Sequence, residues 1–236
     1  LAVAAAAVLL VGVPGRYRHA AGSGRGPRAA AADVREGLRT LVEHPVLRPM
    51  TLAAAVANMA STGYTALLVL WAVGTGSALG LTAGQYAWMG VAMALGAVLA
   101  SVLVERAVAR LGELRVILGG WWTGAAFLAV PVLVPLPWLL FPAATVLGAS
   151  ISAANVASQS VRQRLVPARL LGRVGGASRT LGYGLMPVGA VLAGLAAEHW
   201  GLAPAMLGAC LLAVLAPTLP ALTVREAMLR GSAARD

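Results

Sequence analysis

Lysine is missing altogether: the eighteen basic residues of this 236-residue chain are all arginine. A Gly-x-x-x-x-Gly-Lys-[Ser/Thr] phosphate loop is therefore impossible, and the chain cannot cradle a nucleotide in that way. Cysteine is nearly absent too. The single Cys210 lies in an apolar run, which excludes an intrachain disulfide and a thiolate metal cluster. His19 and His44 show no ligand spacing, so neither a metal site nor a cofactor is expected. Charge is scarce, at 11% of residues where a soluble domain carries about a quarter. A net charge of +10 would suit a nucleic-acid binder if the arginines formed one surface. They stand instead in short groups between long uncharged stretches, so no nucleic-acid partner is expected and the lipid bilayer takes its place.

What fills the chain is apolar: 59% of residues are hydrophobic and the mean hydropathy is +0.82. Six stretches are long enough for the roughly 20 helical residues that cross a hydrocarbon core. They cover residues 50–73, 81–104, 115–134, 137–160, 177–198 and 203–224. None alternates apolar and polar residues as a barrel strand does, so the fold class predicted is all-α, a polytopic membrane bundle of six transmembrane helices.

The connections test that count, because cytoplasmic loops keep arginine while translocated loops lack it. Arg16 to Arg48, then Arg106, Arg110 and Arg115, then Arg162, Arg164, Arg169, Arg173 and Arg179, and last Arg225, Arg230 and Arg235 occupy alternate connections. The intervening segments 74–80, 134–137 and 199–202 hold none. All these charges are assigned to cytoplasmic loops of a multi-pass protein of the cell membrane, with the N- and C-terminal segments cytoplasmic. Trp71, Trp138 and Trp200 then fall at the opposite ends of their spans, where an outer aromatic belt belongs.

Four segments are expected along the chain: the end of a truncated preceding span (1–13), a cytoplasmic connection (14–49), the six-helix domain (50–224) and a cytoplasmic tail (225–236). Within the connection, residues 31–44 place Val34, Leu38, Leu41 and Val42 on one helical face, which predicts an amphipathic helix on the inner membrane surface.

No charged residue is expected in the middle of a span, which removes an obvious proton relay. Polar residues there follow helical spacing: Asn58, Thr62 and Thr65 in the first span, and Ser152, Asn155, Gln159 and Arg162 in the fourth. Amides facing lipid would lack partners, so both stripes are expected to look inward. Asn58, Thr62, Tyr64, Asn155, Gln159 and Tyr183 are the candidate lining of a central substrate cavity, and interhelical bonding is the plainer role for the same amides. The fifth span carries Gly182, Gly184 and Gly189 with Pro187, which predicts a bent helix able to rock, or one packed closely against its neighbours.

Local motifs bring a family into view. Arg162-Gln163-Arg164-Leu165-Val166-Pro167, Leu171-Gly172-Arg173-Val174 and Arg179 resemble the loop before the eleventh helix of the drug and siderophore exporters of the major facilitator superfamily. The similar branch holds the enterobactin-exporter-like and macrolide-efflux-like proteins, the transmembrane secretion effectors. Gly182-Tyr183-Gly184-Leu185-Met186-Pro187-Val188-Gly189 is similar to that branch's glycine- and proline-rich helix, and Glu36-Gly37-Leu38-Arg39 with His44-Pro45-Val46-Leu47-Arg48 to its entry to the seventh helix. Arg106, Arg110, Gly112 and Arg115 echo the superfamily's Gly-x-x-x-Asp-Arg-x-Gly-Arg-Arg loop, with Glu105 where aspartate stands.

The resemblance implies the C-terminal half of a twelve-helix transporter, built as two three-helix inverted repeats. Its partner would be the missing N-terminal six-helix half, and its substrate a small amphipathic molecule exported by proton-driven alternating access. The coupling carboxylate is expected in that other half. Two rivals remain. A membrane subunit of an ATP-driven exporter would need a partner to supply the nucleotide site, and an intramembrane enzyme would want mid-span histidine or acid, which is lacking.

Overall fold

The computed structural model describes residues 27–230, so the expected preceding span at 1–13, His19, Arg16, Arg18, Arg25 and Arg235 lie outside the described residues. The fold is all-helical, with six helical segments long and apolar enough to cross a membrane. Helix α1 (Pro27–Glu43) precedes α2 (Leu47–Ala72), α3 (Ala83–Leu111), α4 (Glu113–Leu133) and α5 (Leu140–Leu165). The fifth span is α6 (Leu171–Gly184) followed by α7 (Met186–Trp200); α8 (Leu202–Leu215) and the short α9 (Thr218–Thr223) and α10 (Glu226–Arg230) complete it.

Local chemistry sets the ends. Thr82 opens α3 with a reciprocal cap, accepting from the Gln85 amide at 3.2 Å while its own amide donates to Gln85 Oε1 at 2.8 Å. Gly112 closes α3 at φ +87°, where a side chain would be strained. α5 stops where Val166 turns extended ahead of Pro167. The fifth span breaks at Leu185, because Pro187 has no N–H to return to the Tyr183 carbonyl. The expected bend is therefore a full interruption.

Helices run past the apolar stretches that announce them, since arginine is a good helix former and nothing stops the turn until glycine or proline. This corrects the loop assignment of the basic residues: Arg106 and Arg110 end α3, Arg162 and Arg164 end α5, and Arg173 and Arg179 lie on α6. The connection between α5 and α6 is only residues 166–170.

Packing is organised by exchange between the first three spans and the last three. α2 lies against α6, α7 and α8, α5 lies against α3 and α4, and α4 meets α8. Two crossings bring backbones together. At the α3–α5 crossing a Cβ on Gly96 would overlap the Thr145 carbonyl, and one on Gly148 the Met93 carbonyl. At the α2–α7 crossing a Cβ on Gly63 would stand 2.7 Å from the Gly189 oxygen, and one on Gly189 would overlap the Met59 carbonyl. Away from these seams the surface is apolar: Trp88, Val91, Leu95, Val98 and Val102 form one exposed helical stripe and Val188, Val191, Leu192 and Leu195 another, as lipid-facing sides should.

The arginine-bearing ends are tied together. Glu226 accepts from the Glu113 and Leu114 amides at 3.0 and 3.1 Å, satisfying the first orphan donors of α4, while Arg164 pairs with Glu113. α1 docks on α6 through the Arg173–Glu36 ion pair and through Leu41, which is buried at 1% exposure. Val34, Leu38 and Val42 from the same expected face stay exposed. At the α1–α2 joint, His44 Nδ1 accepts from the amides of Val46 and Leu47 at 3.2 and 3.3 Å.

Two outcomes are expected. Gly148→Ala and Gly189→Ala force carbonyl overlap and should each cost about 1–3 kcal/mol, lowering the thermal midpoint in detergent; Gly194→Ala, with open space around it, should not. Burial lowers the His44 pKa, so the folded joint prefers neutral imidazole. The unfolded chain then binds more protons as pH falls through about 6.5, and stability at the joint is lost in that direction. Amide exchange at Val46 and Leu47, corrected for intrinsic rates, should accelerate from about pH 8 to pH 5, and His44→Gln should remove that pH dependence.

Candidate functional site

Three polar groups meet at a common depth in the bundle. Asn58 lies about 16 Å along α2 from Leu47, Gly182 about 16 Å along α6 from Leu171, and Asn155 about 15 Å back along α5 from Leu165. Asn58 Nδ2 donates to the Gly182 carbonyl at 3.1 Å, joining the first span to the fifth two residues before α6 ends at Gly184. A Cβ at residue 182 would stand 3.5 Å from Asn58 Nδ2, an ordinary contact, so the bond to the 182 carbonyl does not depend on the residue being glycine.

Around that junction lies a cleft of about 130 Å³ between α2, α4, α5 and α6. Asn58, Asn155, Gln159, Arg162, Arg179, Gly182 and Tyr183 line it, with Thr51, Ser158 and Ser178 below and Trp121 on the α4 wall. A second hollow of about 150 Å³ continues from it past the shared Asn58, Asn155 and Trp121, bounded by Ala125, Leu128, Leu147 and Ile151. The pair forms a graded path, guanidinium at one end, amide at the waist, and aromatic and aliphatic beyond.

The electrostatics at the mouth are one-sided. Arg162 Nη1 donates to the neutral Gln159 Oε1 at 3.2 Å, and among the described residues Arg179 has no ion pair and no acidic side chain lines the cleft. Several carboxylates are committed elsewhere: Glu36 to Arg173, Glu43 to Arg39, Glu113 to Arg164, and Glu226 to the start of α4. Ser158 Oγ is buried without a partner. Among the described residues no three His, Cys, Asp or Glu side chains gather as a metal would require. The arrangement can offer hydrogen bonds, positive charge and an aromatic wall. No protein-family model matches the chain, and no curated protein matches it either.

Of the six sequence candidates the cleft gathers Asn58, Asn155, Gln159 and Tyr183, the last 61% exposed. Tyr64 and Thr62 are not part of it. Tyr64 is six residues from Asn58, about 120° away on the helix, and sits at 2% exposure among Leu67, Leu68, Leu128, Met206 and Cys210. Thr62 returns its hydroxyl to the Asn58 carbonyl at 2.8 Å, and Thr65 likewise uses the Ser61 carbonyl. A hydroxyl satisfied by its own helix has no need to face inward. Ser152 turns toward α3.

The residues that sequence reasoning missed are Arg179 and Trp121 as lining groups; Arg162 was expected both on the inward stripe that begins at Ser152 and among the cytoplasmic loop charges, and it lines the cleft. The signal for Arg179 was present, since Arg179, Gly182 and Tyr183 share a face by helical spacing. Charge asymmetry had assigned it to a loop. A Cβ at Gly184 would meet open space, and the residue precedes the break that Pro187 causes, whereas Gly189 is a packing residue against Met59.

An interhelical bond of this type is worth about 0.6–2 kcal/mol. Asn58→Leu should therefore lower the thermal midpoint and speed amide exchange through residues 182–186, while exchange at the α3–α5 crossing stays as it was. Unchanged exchange at 182–186 would show that the Asn58 bond does not hold the broken span.

Proposed function

We propose that the chain is one six-helix half of a secondary active transporter of the major facilitator type, an exporter of small amphipathic molecules working by alternating access. The observation that carries this reading is the exchanged packing. The first helix of each three-helix set lies against the second and third helices of the other set, and the last helices of the two sets, α4 and α8, meet each other. Two inverted three-helix repeats related by an axis in the membrane plane would pack in this way. The equivalent crossings, α2 on α7 and α5 on α3, also use the same device of glycine against a backbone carbonyl.

On this reading the graded cleft is this half's wall of the substrate path, facing a second six-helix body across the central cavity. The arginine-bearing ends are cytoplasmic, the Trp138 and Trp200 ends are external, and the protein resides in the cell membrane. The broken fifth span supplies a hinge: α6 carries Arg179, Gly182 and Tyr183 of the cleft, and α7 carries the close crossing on α2. Proton coupling is assigned to a carboxylate outside this half, since no acid lines the cleft.

Inverted membrane vesicles containing the protein as its gene encodes it test the proposal, with ethidium and carboxyfluorescein as probes. Energised accumulation of either dye should collapse with a protonophore and ignore vanadate. Accumulation that vanadate stops and a protonophore spares would favour the ATP-driven alternative, and no energised accumulation of either dye would remove the transporter reading.

A further inference from the structure

We infer that the cleft selects an acidic group: Arg162 and Arg179 form an anion-binding subsite for the carboxylate, phosphate or phenolate of an amphipathic small molecule whose apolar body lies along Trp121. In calling that molecule a transported substrate, the inference rests on the transporter reading.

The argument begins with what surrounds the two guanidiniums. They approach from different helices, one at the end of α5 and the other about 12 Å along α6 from Leu171, and both line the same cleft. Arg162 is half-buried and Arg179 exposed, so both stand where water or a polar ligand can reach them, as a guanidinium at the end of a span requires. Among the described residues neither guanidinium has an ion pair. Gln159 offers Arg162 a neutral oxygen, while Glu113, Glu36, Glu43 and Glu226 are held by Arg164, Arg173, Arg39 and the α4 amides. Arg164 and Arg173, the cations paired to acids, are absent from the lining, whereas Arg162 and Arg179 belong to it.

Shape adds direction. From the guanidiniums the path passes Asn58 and Asn155, whose amides can donate to or accept from an ester or amide oxygen, and reaches Trp121 and the aliphatic hollow beyond. A molecule with an acid at one end and an aromatic or aliphatic body at the other matches that sequence of chemistries. A cationic amphiphile would set its charge against two arginines.

The test is calorimetric titration of the chain in phosphatidylcholine nanodiscs, corrected with empty discs, using naphthylacetate, naphthylacetamide and naphthylethylamine. These probes share a ring and differ in the head group. A charge-assisted hydrogen bond is worth about one power of ten in affinity or more. Naphthylacetate should therefore bind at least about tenfold tighter than the amide, the amine should bind weakest, and the preference should shrink with added salt. Arg162→Gln and Arg179→Gln should each reduce the preference for acid over amide, Arg179→Lys should retain part of it, and thermal unfolding of each variant reports whether it folds.

Equal binding of acid and amide, absence of binding by all three probes, or a preference untouched in folded Arg179→Gln would overturn the inference. So would loss of acid binding when phosphatidylglycerol replaces phosphatidylcholine, which would give the subsite to a lipid headgroup. Failure of energised dye accumulation with the acid preference intact would sink the transporter reading while leaving the anion subsite in place.

Discussion

In lipid, apolar helices gain nothing by leaving one apolar surface for another, so a bundle of this composition coheres only where packing is closer between helices than with acyl chains. Glycine against backbone is the means used here. At the α3–α5 crossing and at the α2–α7 crossing, a helix approaches until the missing Cβ is the only space left for a carbonyl oxygen. The first of these crossings joins spans two and four, the second joins spans one and five, and the remaining contacts of α4 and α8 fill in around them. The exposed apolar stripes on α3 and α7 follow from this arrangement, because each helix spends its small residues on one face and leaves its large ones for lipid.

The same scarcity governs the polar groups. Inside a membrane each amide, hydroxyl or indole N–H needs a partner, and the bundle supplies most of them, the buried Tyr64 and Ser158 hydroxyls being exceptions. Trp71 donates to the Pro131 carbonyl at 2.9 Å and Trp122 to the Val214 carbonyl at 3.1 Å. Threonine hydroxyls fold back on their own helices, and Asn58 donates to the residue 182 carbonyl on α6. At the arginine-bearing end, ion pairs and the Glu226 cap fasten α1 to α6, α5 to α4 and the tail to α4. Against that background the mouth of the cleft, where Arg162 and Arg179 face no carboxylate, stands apart from the pairing seen around it.

Much of this was legible in the chain. The number of apolar spans, their order, the helix ahead of the first span and the break near Pro187 all follow from hydropathy and proline chemistry, and helical spacing brings Asn58, Asn155 and Gln159 to one cleft, where Asn155 and Gln159 stay exposed. Helix ends were less legible, because hydropathy reports where lipid starts and helix geometry does not stop there. α5 runs to Leu165 and α6 starts at Leu171, which carries four residues assigned to a loop onto helical faces. Tyr64 was misjudged through nearness in sequence when angle around the helix decides, and Thr62 and Thr65 because a hydroxyl, unlike an amide, can be satisfied within its own helix. The partners of Arg164 and Arg173 lie 51 and 137 residues away in the chain, and no local pattern encodes such pairs.

One consequence joins the cleft to the break in the fifth span. α6 is held to α2 near its end by a single amide-to-carbonyl bond, at Gly182, whereas α7 is locked to the same helix by a backbone crossing at Gly189. Between them Leu185 belongs to neither half. Any displacement of α6 must therefore be absorbed at residues 184–186, and the side chains that move with it, Arg179 and Tyr183, are cleft-lining groups. A ligand bridging Arg162 on α5 and Arg179 on α6 would add a second tie across the cleft and hold α6 in one position relative to α7. α1 is docked on the same α6 by the Arg173–Glu36 ion pair and by Leu41, so a displacement of α6 would carry α1 with it, and occupancy of the cleft would be felt at both helices.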